Sequence, residues 1–87
     1  MATLLVTYDL NKSGQNYTSF LGVIKKYTWA RLSESSYAIQ TYETPQAVYN
    51  NLSPYIDKND NVYIIALSQS HYGQGPQEVN NWLSQHL

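Results

Sequence analysis

Hydrophobic positions along the chain alternate between strand-like and helix-like spacing. Leu4-Leu5-Val6-Thr7-Tyr8-Asp9-Leu10 is apolar, β-branched and aromatic with little alternation, the pattern of a strand covered on both sides or central in a sheet. Asn11-Lys12-Ser13-Gly14 then supplies consecutive turn formers, and the period changes at Asn16, with Tyr17, Phe20, Leu21 and Ile24 at helical spacing. Gly22 costs that helix about 1 kcal/mol relative to Ala, so it either packs closely against the sheet or has no special reason. From Thr28 to Tyr42 the period returns to two. Trp29, Arg31 and Ser33 oppose Ala30 and Leu32, and Tyr37, Ile39 and Thr41 oppose Ala38, Gln40 and Tyr42. Two strands joined at Ser33-Glu34-Ser35-Ser36 predict a hairpin.

Thr44-Pro45 signals a helix start, because Thr can cap and Pro at the first helical position loses no useful N–H. Ala47, Val48 and Leu52 line one face of this second helix, and Pro54 ends or kinks it ahead of the turn cluster Asp57-Lys58-Asn59-Asp60-Asn61. Val62-Tyr63-Ile64-Ile65-Ala66-Leu67 reads as a fourth strand, apolar on both faces. Ser68 to Gly75 reads as a loop, and Gly75-Pro76 opens a short last helix carrying Val79, Trp82 and Leu83. A helix of that length is marginal alone and is expected to dock on the domain or on a second subunit.

Strand, helix, strand, strand, helix, strand is the split βαβ order. It predicts one α+β domain over residues 1–87, ferredoxin-like, with a four-stranded antiparallel sheet, two helices on one face and a short C-terminal helix. The other face is expected to be free and a ready interface. With the fourth strand at a sheet edge, its apolar sequence calls for a partner to cover it.

Composition sharpens this picture at three points. In 87 residues there is room for one core, and a domain this small buries only about 60% of its unfolded surface or slightly more, so association with a second copy would add stability. Nine Tyr and two Trp beside one Phe fit either a partly wet interface or tyrosines lining a small core with their hydroxyls toward solvent. Cysteine is absent, which removes disulfides, thiolate nucleophiles and cysteine metal sites and makes a cytoplasmic setting the expectation. The N-terminus does not read as a signal peptide, and no stretch approaches membrane-spanning length. Five basic against six acidic residues give a formal charge of −1, which argues against coating a phosphate backbone by electrostatics alone.

Little in the chain reads as a conventional enzyme site. His71 and His86 are isolated, without close ligand spacing. Gly73-Gln74-Gly75 does not complete a phosphate-binding fingerprint, and no nucleophile elbow supports a Ser–His–Asp arrangement. Asp9 is better placed, at the end of an apolar strand before a polar loop. A carboxylate there can bind a divalent cation through oxygen and water, or can accept backbone N–H bonds that shape the turn from Asn11 to Gly14. One carboxylate is too few for a tight metal site. In a two-fold dimer the second can be the same Asp of the partner.

Tyr8-Asp9, the helix ending Ile24-Lys25-Lys26-Tyr27, and Arg31-Leu32-Ser33-Glu34-Ser35-Ser36-Tyr37 resemble the small CRISPR-associated nucleases of the Cas-two type and their VapD-like toxin relatives. More narrowly, Val6 to Lys12 followed by Gly14-Gln15-Asn16-Tyr17 is similar to small bacterial and phage-borne proteins labelled SinR-family. The resemblance covers Leu4 to Leu67. It implies a ferredoxin-like homodimer in which Asp9 is the catalytic carboxylate and ligands Mg²⁺ near the two-fold axis. It also implies that Ser33, Ser35 or Ser36 and Arg31 lie near an RNA or DNA backbone; Lys12, Lys25, Lys26 and Arg31, which by their charge can form one patch or simply a solvated helix face, are the candidate phosphate contacts. Two features depart from that group: the low positive charge, and a C-terminal helix where its members add a pairing strand.

Two functions are therefore expected. One is a Cas-two-like homodimer with metal-dependent nuclease or nucleic-acid-binding capacity. The other is a non-catalytic dimeric interaction module, of phage or mobile-element origin, that binds another protein through a Tyr-rich face.

Overall fold

The structure is a computed structural model that describes residues 1–11 and 17–87. In chain order the elements are β1 (Ala2–Asp9), α1 (Tyr17–Ile24), β2 (Thr28–Ser33), β3 (Ser36–Thr41), α2 (Pro45–Leu52), a single 3₁₀ turn (Ser53–Tyr55), β4 (Asn61–Ala66) and α3 (Gln77–His86). The strands lie in the order β4-β1-β3-β2, every neighbouring pair antiparallel. Each of the first two helices joins strands that have another strand between them: α1 leads from β1 to β2 around β3, and α2 from β3 to β4 around β1. This is the split βαβ arrangement, and the fold is α+β of the ferredoxin-like kind.

Pairing register divides the sheet into two faces. Leu4, Val6 and Tyr8 of β1 stand opposite Ile39 and Tyr37 of β3 and Ala66, Ile64 and Val62 of β4. Directly opposed residues share a face, and this face meets α1 and α2. Phe20 and Ile24 from α1, with Val48 and Leu52 from α2, complete one buried cluster with Leu4, Val6, Tyr8, Tyr37 and Ile39. Spacings of four residues in each helix bring those pairs onto one side. Thr44 caps α2, its Oγ1 accepting the Ala47 N–H at 3.1 Å, with Pro45 at the first helical position. Pro54 falls in the 3₁₀ turn that ends α2, as its missing N–H requires.

The second face is not wholly free, which corrects the expectation from periodicity. Helix α3 packs against β2, and Val79, Leu83 and Leu87 line a cavity of about 710 Å³ together with Leu5 of β1 and Leu32 of β2. Thr3 Oγ1 donates to the His86 carbonyl at 2.5 Å, pinning the helix end to β1. Ala30 and Ala38, opposed on this face, are buried although they lie away from α1 and α2. Their short side chains let a helix approach the strands closely. The reason that α3 docks here is its own amphipathicity: ten residues are too few to hold a helix in water without an apolar surface to cover. Its cover stops short of β4, whose Tyr63 and Ile65 on the same face remain 64% and 51% exposed.

Candidate functional site

At the C-terminal end of β1 the sheet register assembles several of the residues singled out in the sequence. Thr7 pairs with Ser36, and the Tyr8 N–H donates to the Ser35 carbonyl at 3.0 Å, so Asp9 emerges beside the β2–β3 turn. That turn is held by hydroxyls. Ser33 Oγ lies 2.7 Å from Ser36 Oγ and accepts the Ser35 N–H at 3.2 Å, while Arg31 Nε donates to the Ser33 carbonyl at 3.3 Å. A register shift between Arg31 and Ser33 marks a bulge in β2, which turns this edge out of regular pairing. Asp9, Arg31, Ser33 and Ser35 are exposed, and Ser36 is half-buried.

Beneath the turn lies an aromatic cluster. Tyr8 packs edge-on against Phe20 at 4.8 Å between ring centres and lies 6.3 Å from Tyr17 and 6.5 Å from Tyr37, and Trp29 lies 5.5 Å from Tyr37. The Glu34 carbonyl accepts from both the Tyr8 hydroxyl (3.2 Å) and the Tyr17 hydroxyl (3.3 Å). Burial, then the neighbouring Tyr17 hydroxyl, raises the Tyr8 phenol above its ordinary value of 10.0; Arg31 opposes that shift. These tyrosines build the core and the turn. Tyr27 serves similarly elsewhere, donating to Glu43 Oε1 at 2.6 Å and accepting from Asn51 Nδ2 at 2.9 Å, its phenol raised by burial and by Glu43. The tyrosines that remain exposed, Tyr42, Tyr49, Tyr63 and Tyr72, come from β4, α2 and two loops.

Other sequence candidates lie elsewhere. Lys25 and Lys26 follow α1 and precede Thr28, at the far end of β2 from Ser33, roughly 17 Å along a six-residue strand. Lys25 Nζ sits 5.2 Å from the centre of the Trp29 ring, a cation–π contact that needs no phosphate to explain it. The register thus keeps Asp9 with the serine turn but not with these two lysines, and it sets Arg31, opposite Tyr37, on the other face of the sheet from Asp9. Lys12 lies outside the described residues. His86 stacks on Trp82 at 4.0 Å between ring centres, and its Nδ1 is 2.7 Å from the Trp82 carbonyl. His71 Nδ1 is 3.2 Å from the Gln69 carbonyl.

The turn that Asp9 is expected to shape lies, beyond Asn11, outside the described residues, and the carboxylate that holds Asn11 itself is that of Asp60. Its Oδ1 accepts the Asn11 N–H and its Oδ2 the Asp57 N–H, each at 2.8 Å, while Asn11 Nδ2 donates to the Asn59 carbonyl. Asp60 appeared in the sequence only as one polar residue in a turn cluster. Its tie to Asn11 spans 49 residues and has no local signal.

Metal binding can be tested against the donor set. Among the described residues no three His, Asp or Glu side chains gather as a potential metal site. Mg²⁺ commonly keeps several waters and takes one or two carboxylates. Asp9 by itself supplies only the smaller part of such a shell, so the described residues of one subunit do not complete a tight site.

The other exposed feature is β4. Val62, Tyr63, Ile64, Ile65 and Ala66 form an uncharged run at the sheet edge, and Tyr63 and Ile65 stand side by side on the second face. The sequence signal was present as a strand apolar on both faces at a sheet edge, but how far α3 would reach was not.

No family model and no curated protein sequence matches this chain. The fold is similar to the crystal structure of a hypothetical protein, TT1823, from Thermus thermophilus, with a TM-score of 0.67 and 16% sequence identity over 86% of this chain and 94% of that one. At that identity the likeness establishes the fold. Among the described residues no helix is long and apolar enough to cross a membrane.

Proposed function

We propose that the protein is a homodimeric interaction module that works by binding rather than by bond cleavage. The observation that carries this reading is the exposed pair Tyr63 and Ile65 on an uncharged edge strand. Monomers usually blunt such edges with charge, Pro or a bulge, and interface centres are depleted in charge and enriched in aromatic residues. Light scattering over a concentration series tests it. Wild type should reach twice its 10.0 kDa chain mass, and a Tyr63→Lys, Ile65→Lys variant should stay monomeric with an unchanged far-ultraviolet spectrum. A wild type that remains monomeric at every concentration refutes the reading.

A second reading is favoured by the placement of Asp9 at the end of β1, beside the turn that carries Ser33, Ser35 and Ser36. It is the Cas-two-like one: a homodimer that binds RNA or DNA at this end, with Asp9 ligating Mg²⁺. The metal would supply an activated water and offset phosphate charge; the serines and Arg31 would hold the backbone. Packing of two sheets face to face, so that the two Asp9 side chains meet, is its geometric requirement. Cleavage of labelled RNA or DNA that depends on Mg²⁺ and is lost in Asp9→Ala supports it. Equal behaviour of wild type and variant on every substrate removes it.

A further inference from the structure

We infer that two copies of this chain pair β4 to β4 in antiparallel register centred on Ile64, joining their sheets into one of eight strands. The inference rests on the self-association reading and specifies its contact.

Backbone geometry fixes which groups are available. Leu67 N–H donates to the Thr3 carbonyl at 2.9 Å, so in this antiparallel pair Leu67, Ile65, Tyr63 and Asn61 turn their backbone groups toward β1. Val62, Ile64 and Ala66 therefore point theirs away from the sheet, where β4 has no neighbouring strand. A two-fold axis at Ile64 sets Ile64 opposite itself and Val62 opposite Ala66 of the second copy. Each of these pairs can exchange both of its hydrogen bonds.

Side chains agree with that register. It places Tyr63 directly opposite Ile65 of the second copy, and Ile65 opposite Tyr63. Aromatic with β-branched is a favourable cross-strand combination, and it buries the two large apolar side chains that α3 leaves uncovered. No residue of β4 is charged, so self-pairing brings no like charges together. The opposite edge is managed differently. β2 carries Arg31, a bulge, the Lys25–Trp29 contact and the cover of α3, all devices that discourage strand addition. Among the described residues, the β4 edge is the one left open to a second strand. The pairing would also hold the two Asp9 residues roughly 25 Å apart, given strand spacings of about 4.8 Å and a rise of about 3.3 Å per residue. It is thus distinguishable from packing that brings them together.

The absence of cysteine makes single-cysteine variants clean reporters. Tyr63→Cys and Ile65→Cys, mixed and mildly oxidised, should give a disulfide-linked dimer, because directly opposed Cβ atoms lie about 4.5–5.5 Å apart. Either variant alone should cross-link several-fold less, its own copies being diagonal neighbours at about 7–8 Å. Asp9→Cys alone should not cross-link. Ala66→Pro, which removes an outward N–H without touching the β1 ladder, should weaken dimerisation on the order of tenfold or more. A light-scattering dimer without the mixed cross-link, or with an efficient Asp9→Cys cross-link, overturns this register while leaving self-association standing. A monomeric wild type overturns both.

Discussion

Thr3 and His86, 83 residues apart, are joined by a 2.5 Å hydrogen bond from the threonine hydroxyl to the histidine carbonyl. The carbonyl belongs to the last turn of α3, where intrahelical donors run out. One hydroxyl thereby satisfies an orphan acceptor and anchors the end of the chain to the central strand.

Thr3→Val keeps the side-chain shape but removes that donor. It should lower stability by roughly 0.5–1.5 kcal/mol, and amide exchange in α3 should accelerate more than in β1 or β3. Uniform acceleration across the sheet would show that α3 is not held locally by this bond.

Asp60 accepts two backbone N–H bonds, whereas the carboxylate of Asp9 takes part in none among the described residues. Asp60→Ala should therefore cost on the order of 1–3 kcal/mol, and Asp9→Ala should fall within about 0.5 kcal/mol of wild type. Urea titration of both variants checks the ranking. An Asp9→Ala loss as large as that of Asp60→Ala would show that Asp9 also holds backbone groups in place.

Tyr8 links pH to stability. Its phenol is raised above 10.0 in the folded chain, so the native state favours the neutral form. The contribution is complete below the unfolded value, about 10, and declines as pH climbs from there toward the folded value. Alkaline unfolding should become less steep in Tyr8→Phe. That variant should also lose roughly 1 kcal/mol near neutrality with the bond to Glu34. A phenolate absorbance titration should lose a late component in the variant. An identical high-pH stability curve would count against the coupling.

Gly22 sits on the exposed side of α1, and a Cβ placed there meets nothing within 4 Å. Of the two meanings the sequence allowed, close packing is excluded. Gly22→Ala should stabilise the protein by about 0.5–1 kcal/mol, read as a higher midpoint in thermal or urea unfolding. Destabilisation would mean that the helix needs the glycine for a reason its surroundings do not reveal.

The order of elements was legible because hydrophobic period follows directly from backbone geometry. Val6 and Tyr8 could be placed in a strand, Phe20 and Ile24 in a helix, and Thr44-Pro45 at a helix start from neighbours within a few residues. Split βαβ topology then followed from that order. The candidate site was only half legible: Asp9 and the serine turn were chosen separately, and their adjacency required the pairing of Thr7 with Ser36. Lys25 and Lys26 seemed eligible to join them until the length of β2 placed them at its other end.

Local sequence thus determined which segments become strands and helices, since propensity, capping and periodicity act over three or four residues. Only the tertiary structure decided that α3 would cover Ala30 and Ala38 while leaving Tyr63 and Ile65 bare, and that Asp60 would tie Asn11 to the turn before β4. Those outcomes depend on contacts between residues tens of positions apart, whose free energy comes from shared burial and hydrogen bonding and leaves no periodic trace along the chain.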